Sequence, residues 1–242
     1  MDCILAFGDS HIAGFETVPW DRRKCNIEEH QKETKTFSFP NLIANHFNVP
    51  CYNYSMVGSS NDRTLRLLPE KILLHKNPFV IIGHSEYFRT EIFNLHGTGH
   101  KDSDNFLQMG VGTVDAKSNV ANKWIEVCDD WRGYNNYKQI NSIFYIDQIC
   151  KKFAKNYLQM FLFDGYVPTE FQTSGNYRAQ LEILAECDLE KIFKFKQTKY
   201  SNLGFGNIVD WGQESALSMP NKHLSIEGHQ VLAKDIVEKI KT

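Results

Sequence analysis

Two residues near opposite ends of the chain, Ser10 and His223, have the side chains for nucleophilic chemistry. Ser10 follows the apolar residues 4–7 and the turn-forming pair Gly8-Asp9, an arrangement typical of a buried strand that ends in a turn. His223 comes shortly before the last amphipathic segment of the chain. A serine hydroxyl is a weak nucleophile until a nearby imidazole accepts its proton. The two residues therefore predict acyl transfer in a fold that brings both ends of the chain together.

The elements that must position these residues are indicated by hydrophobic patterning. Short apolar runs predict buried strands at residues 2–8, 49–54, 78–83 and 158–163, with a fifth strand expected within 203–210. Helical spacing of apolar residues predicts helices at 39–47, 62–75, 140–157 and 225–241. Strands that alternate with helices are typical of βαβ units and of a mostly parallel sheet in flavodoxin-like order.

Three turns rich in small or polar residues follow the first three predicted strands. They contain Ser10, Gly58 and Ser85, respectively. Ligands of an open parallel sheet bind beyond the carboxyl ends of its strands, so we expect the three turns to converge there with His223. In that arrangement Ser10 attacks a carbonyl carbon and His223 transfers the proton. The backbone N–H groups of Ser10 and Gly58, with a third donor from the Ser85 turn, would hold the oxyanion.

The spacing of these blocks resembles that of SGNH/GDSL hydrolases. The matching residues are Gly8-Asp9-Ser10 in the first block, Asn53 and Gly58 in the second, and His223 with the following Gly228-His229 in the last. The resemblance implies a three-layer α/β/α flavodoxin-like sandwich with a central parallel sheet. It also implies a serine-dependent hydrolase that cleaves an ester, as an esterase or as an O-acetyl esterase acting on a glycan.

Two positions depart from the family pattern. Ser85 stands where the family has its oxyanion asparagine, and Pro220 stands where the family has the aspartate that orients the histidine. Asn221, Asp210 or a backbone carbonyl would then have to orient His223. The departures leave open a rival from another class, a non-catalytic SGNH-fold protein with a binding or structural role. The Gly-Asp-Ser-His sequence and the serine in the third block resemble GDSL-type proteins of tailed phages, so the rival includes a phage-encoded protein.

Composition bounds the remaining expectations. The 242 residues, 42% of them hydrophobic and 23% charged, fit one globular domain over 1–242, with a long insertion or lid at 85–138. The net charge of −2 gives no electrostatic reason to expect a nucleic-acid partner. No apolar run reaches the ~18 residues of a membrane span, and no basic leader precedes the first strand. We therefore expect a cytoplasmic protein, which includes a viral protein made in a host cytoplasm.

The chain carries no sequence signature of a cofactor or a metal site. Its nine histidines form no His-Glu-x-x-His motif, and its six cysteines form no Cys-x-x-Cys pair. The cysteines are predicted to be thiols in a reducing compartment. The expected partner is a small-molecule or glycan ester substrate, and nothing in the sequence indicates an oligomeric state.

Overall fold

The structure of the protein, a computed structural model, describes most of the chain in segments. Its described residues are 1–15, 17, 27–86, 89–93, 106–109, 131–163, 182–195, 207–220 and 222–241. The strands are β1 (Cys3–Phe7), β2 (Cys51–Asn53), β3 (Pro78–His84), β4 (Thr90–Phe93), β5 (Phe106–Met109) and β6 (Asn156–Phe161). The helices are α1 (Ser10–Ala13), α2 (Ile27–Lys35), α3 (Phe39–Phe47), α4 (Asn61–Leu73), α5 (Trp131–Phe153), α6 (Ile208–Glu214) and α7 (Ile226–Lys241).

Four strands form a parallel sheet in the order β2-β1-β3-β6. The strands at its centre are continuous apolar runs because both faces of the sheet are covered. In β1, Ile4 and Ala6 pack into one hydrophobic cluster, which includes residues of α3, α6 and α7. Leu5 and Phe7 point the other way, into a cluster that includes residues of α4 and α5. These layers confirm the predicted three-layer α/β/α class.

The predicted insertion at 85–138 contains regular structure of its own. β4 and β5 pair as an antiparallel hairpin, and α5 begins at Trp131. The hairpin is held against α4 by Arg66, whose Nε and Nη2 donate to the Glu91 carboxylate at 2.8 and 2.9 Å. The backbone N–H of Glu91 also donates to Asp62 at 3.0 Å, and Lys138 of α5 pairs with the same carboxylate. Residues 94–105 and 110–130 lie outside the described part, so the role as a lid stays a prediction.

The predicted helix at 140–157 is wrong at both ends. The helix begins earlier, at Trp131, and ends at Phe153, while Tyr157 lies in β6. The apolar spacing of Phe153 and Tyr157 suits one helical face, but the Lys155 N–H donates to the Pro78 carbonyl at 2.9 Å. That bond starts the pairing of β6 with β3 and excludes a continued helix.

The predicted fifth strand at 203–210 is also wrong where it is described. Residues 208–210 open α6 instead, because the side chain of Asn207 accepts a hydrogen bond from the Asp210 N–H at 2.9 Å and caps the helix. The remaining part of the predicted strand, 203–206, lies outside the described residues.

Two further expectations from the sequence concern membrane spans and the state of the cysteines. None of the helices in those segments is long and apolar enough to cross a membrane. Cys3, Cys51, Cys150 and Cys187 are thiols. The other two cysteines, Cys25 and Cys128, lie outside the described residues.

Candidate active site

The fold brings Ser10 and His223 into direct contact. Ser10 is the first residue of α1, directly beyond the carboxyl end of β1, and His223 lies in the segment that leads into α7. The Ser10 Oγ and His223 Nε2 atoms are 2.9 Å apart. This is the distance at which a hydroxyl proton is transferred to an imidazole.

The turn after β1 is shaped by Gly8, Asp9 and a close helix contact. Gly8 has φ +151°, and a Cβ atom there would lie 2.5 Å from Ile12 Cγ1 and 3.1 Å from the Gly83 carbonyl. Glycine is therefore required for α1 to pack this closely against the sheet. Asp9 caps α1, since its Oδ1 accepts a hydrogen bond from the His11 N–H at 2.9 Å. The result is a fixed position for Ser10 at the edge of the sheet.

The His223 ring is held between a turn and two aromatic side chains. The backbone carbonyl of His223 accepts a hydrogen bond from the Met219 N–H at 2.7 Å. The His11 ring stacks on it, with centroids 4.6 Å apart and planes 22° apart, and Phe15 meets it edge-on at 6.0 Å. Burial lowers the pKa of His11 well below its usual value, and the charge of His223 adds to this effect. His11 is therefore a neutral ring that packs against His223.

The loop after β2 lies against the end of β1. The Met56 N–H donates to the Gly8 carbonyl at 3.2 Å, which continues the strand pairing past β1. Residues 56–59 form a turn in which the Ser59 N–H donates to the Met56 carbonyl at 3.1 Å. Gly58 has φ +74°, the value that the third position of such a turn requires. Gly58 is thereby placed in the loop next to the Ser10 turn.

The turn after β3 is fixed by a side chain of α4. Ser85 donates its N–H to Asn61 Oδ1 at 2.9 Å and accepts a hydrogen bond from Asn61 Nδ2 at 3.3 Å. The Ser85 hydroxyl is buried, and within the described part of the chain it has no hydrogen-bond partner. Because its backbone N–H is already bonded, Ser85 has only its hydroxyl to offer to a ligand at this edge of the sheet.

His84, immediately before Ser85, belongs to a buried structural network. Its Nε2 lies 2.8 Å from Gln159 Oε1, and Gln159 Nε2 donates to the buried Asp147 carboxylate at 3.2 Å. This orientation of the amide makes Nε2 the nitrogen of His84 that carries the proton. Burial lowers the pKa of His84 to about 4. His84 is therefore neutral and supports β3 and β6 rather than taking part in proton transfer.

An ion pair that the sequence did not indicate lies beside Ser10. Asp9 is fully buried, and its Oδ2 accepts a hydrogen bond from Arg89 Nη1 at 2.8 Å. Arg89 Nε donates to Glu86 at 2.9 Å. Burial raises the pKa of Asp9, and the Arg89 guanidinium opposes that shift. Arg89 lies in the insertion, 80 residues after Asp9. No sequence pattern connects residues that are so far apart along the chain.

Comparison with known proteins identifies relatives by structure only. No protein-family model and no curated protein matches the sequence. A solved carbohydrate esterase, described as displaying divergent catalytic and non-catalytic binding functions, aligns with a TM-score of 0.50 and 17% identity. That alignment covers 99% of this chain, which spans 64% of the length of the esterase. The protein has the fold of an SGNH esterase.

Two further solved esterases align over nearly their whole length. Esterase EstA from Pseudoalteromonas sp. has a TM-score of 0.48 and 12% identity, over 100% of this chain and 97% of its own. Acetylxylan esterase Axe2 from Geobacillus stearothermophilus has a TM-score of 0.48 and 12% identity, over 100% of this chain and 94% of its own. One fold hosts many activities, so the reaction has to be inferred from the residues of the site.

The last block of the SGNH fold has a packing role here. A Cβ atom at Gly228 would lie 2.5 Å from the Leu217 carbonyl, so only glycine lets α7 approach this segment. His229 Nδ1 accepts a hydrogen bond from the Phe39 N–H at 3.2 Å and thus satisfies the first turn of α3. Burial lowers the pKa of His229 to about 3, which keeps the ring neutral as an acceptor. The Gly-His pair after His223 therefore positions helices.

The residue that orients His223 in this SGNH fold stays a prediction. Asn221 lies outside the described residues. Asp210 lies in α6, where its carboxylate accepts a hydrogen bond from Asn207 Nδ2 at 2.8 Å. A backbone carbonyl is the third candidate that the sequence indicates.

Proposed function

We propose that this protein hydrolyses an ester, with Ser10 as the nucleophile and His223 as the general base. The observation that carries the proposal is the 2.9 Å contact between Ser10 Oγ and His223 Nε2. It supports a nucleophile that is activated by a neighbouring base, the arrangement that serine hydrolases of unrelated folds share.

In the proposed reaction, Ser10 Oγ attacks the ester carbonyl carbon while His223 Nε2 accepts the hydroxyl proton. The tetrahedral intermediate collapses, the bond to the alcohol oxygen breaks, and His223 returns the proton to that oxygen. A water molecule then attacks the acyl-Ser10 ester by the same route and releases the carboxylic acid. Each step moves one proton through the same nitrogen, so one histidine serves both halves of the reaction.

We propose the backbone N–H groups of Ser10 and Gly58 and the Ser85 hydroxyl as the oxyanion donors. Support comes from the Gly58 loop, which is bonded to Gly8, and from the buried Ser85 hydroxyl, which lacks a partner within the described segments. A buried donor without a partner costs free energy in the resting protein. That cost is recovered when an oxyanion accepts the hydrogen bond, which favours the transition state.

The imidazolium of His223 needs negative charge nearby, although Pro220 replaces the usual aspartate. Asp9 supplies part of it, since the charges of Asp9 and His223 attract each other and this attraction lowers the pKa of Asp9 against the effect of burial. We propose that Asn221 or a backbone carbonyl orients the ring while Asp9 contributes charge.

The substrate class to test first is an O-acetyl ester on a glycan. The fold that this chain shares with a carbohydrate esterase supports that class. A small-molecule ester with a short acyl group would meet the same requirements at Ser10, so a chromogenic acetyl ester is a suitable probe.

The test is hydrolysis of p-nitrophenyl acetate, followed by a panel of O-acetylated glycans. We expect turnover by the wild-type protein and none by Ser10→Ala. Ser142→Ala is the matched control, because its hydroxyl is bonded within α5 to the Lys138 carbonyl at 2.8 Å and its loss leaves the site intact. Absence of turnover, combined with saturable glycan binding that Ser10→Ala leaves unchanged, would favour the non-catalytic binding protein.

A further inference from the structure

The contacts around Ser10 form a closed series of neighbouring side chains that begins at Ser10 and ends at Asp9. Ser10 contacts His223, His223 stacks on His11, and the His11 ring meets Phe163 edge-on at 5.1 Å. Arg89 contacts the same Phe163 side chain, with its guanidinium carbon 5.1 Å from the centroid of the aromatic ring. Arg89 also donates a hydrogen bond to Asp9, the residue before Ser10, and this bond closes the series of contacts.

We propose that Arg89 is a positioning residue of the Ser10 site, which fixes the turn after β1 to the turn after β3 through Asp9 and Glu86. We call these three residues the Arg89 bridge. The inference rests on the proposed function, because positioning has meaning only for a reacting Ser10.

The geometry of the Arg89 bridge supports a positioning role over substrate binding. Two of its donors are already used, Nη1 at Asp9 and Nε at Glu86, at 2.8 and 2.9 Å. One cation between two carboxylates leaves a net negative charge, which does not attract an anionic substrate group. The planar guanidinium with its fixed fork of donors suits a link between two turns, whereas a lysine ammonium makes a less directional contact.

The Arg89 bridge also controls the charge next to the base. The groups that face Asp9 are Arg89 and Glu86 from the turn after β3, His11 from α1, and His223 from the segment before α7. Asp9 is fully buried, so its charge needs a cation close by. Without Arg89, Asp9 binds a proton more readily and withdraws its charge from His223.

The test compares Arg89→Met and Arg89→Lys with the wild-type protein over pH 5.5–8.5, with p-nitrophenyl acetate as the probe. For Arg89→Met we expect kcat to fall about tenfold or more at pH 6, with little change in KM, since a misplaced nucleophile costs rate rather than binding. The ratio of variant to wild-type activity should rise with pH, because Asp9 regains its charge as pH increases. Arg89→Lys keeps the cation beside Asp9 but not the fork of donors, so it should restore the wild-type pH profile and only part of kcat.

The matched control is Lys151→Met, which removes the cation from another fully buried carboxylate, Asp147 of α5, whose Oδ2 lies 2.8 Å from Lys151 Nζ. It should leave kcat and its pH profile unchanged. An Arg89→Met variant within twofold of wild type at every pH would overturn the proposal, and so would a loss that is the same at every pH.

A second measurement separates this inference from the proposed function. If the wild-type protein cleaves no ester, the proposed function fails. The Arg89 bridge is then judged by the unfolding midpoints of Asp9→Asn, Arg89→Met and the double variant. Strongly non-additive shifts support the Arg89 bridge, because residues in direct contact are coupled. Additive shifts overturn it.

Discussion

The turns after β1 and β3 each place a serine at the same edge of the sheet, but the hydroxyl groups of the two serines differ in their hydrogen bonds. Ser10 is 6% exposed and Ser85 is 1% exposed. The Ser10 hydroxyl is bonded to His223 Nε2, whereas the Ser85 hydroxyl has no partner in the described part of the chain. A nucleophile needs its base before substrate arrives, while an oxyanion donor is satisfied only during the reaction. The difference supports the separate roles that we propose for the two serines.

Among the variants that test this comparison, substitution of His223, the proposed base, should have the largest effect on activity. We expect His223→Gln to lower kcat/KM for p-nitrophenyl acetate by at least about 10⁴-fold, because loss of the base histidine in a serine protease costs about 10⁶-fold in kcat. The control is His46→Gln, which replaces an exposed histidine. A loss of less than about tenfold for His223→Gln would show that Ser10 does not depend on this histidine.

Ser85→Ala should separate activity from stability. We expect kcat to fall by about 10²-fold, since one oxyanion donor is lost. The free energy of unfolding should rise by about 1 kcal/mol, because a buried hydroxyl without a partner is removed. Ester assays and urea unfolding of the same samples test both. A fall in both quantities, as for an ordinary core polar residue, would contradict the assigned role.

A buried neutral histidine lies beside each turn, His11 in α1 and His84 at the end of β3, and these histidines should make the protein sensitive to acid. Burial lowers the pKa of His84 to about 4, below the unfolded value near 6.5. The unfolded state therefore binds more protons below pH 6.5, and stability is lost as pH falls from there toward 4. Each such histidine contributes up to about 1.4 kcal/mol per pH unit.

The test of this acid sensitivity is urea unfolding of wild type and His84→Gln at pH 7, 6 and 5. The dependence on pH should weaken in His84→Gln by about one proton. His46→Gln is again the control and should keep the wild-type slope. Parallel curves for wild type and His84→Gln would show that His84 titrates alike in both states.

The smallest effect is expected at Gly58, in the loop after β2. Gly58→Ala should lower the free energy of unfolding by about 1 kcal/mol, because φ +74° is unfavourable for a side chain. Gly58→Asn should lose less, since asparagine tolerates this conformation better. Equal losses for both variants would place the cause in packing rather than in the backbone.

Local chemistry explains what the sequence revealed. The strand before Gly8 was predictable because its residues are apolar on both faces, and the position of Ser10 beyond the end of that strand because the apolar run leads directly into Gly8-Asp9-Ser10. The order of the sheet followed from the alternation of strands and helices. No local pattern joins the two ends of the chain, so the contact between Ser10 and His223 could be expected only from the convergence of strand-end turns in a parallel sheet and from the family resemblance.

Long-range and capping interactions explain what sequence reasoning missed. Arg89 pairs with Asp9 across most of the first half of the chain, and only the folded sheet brings their turns together. The β-branched pair Ile208-Val209 suits a strand, but the Asn207 cap turns it into a helix. Asn61 fits the pattern of a helix start, and its clamp on Ser85 is visible only in three dimensions.

Reaction with a fluorophosphonate probe, with the modified residue located by peptide mass spectrometry, tests the separate roles of the two serines most directly. We expect a single adduct on Ser10, none on Ser85, and strongly slowed labelling in His223→Gln. An adduct on Ser85, or no adduct on Ser10 in the folded wild-type protein, would contradict the proposed roles of the two serines.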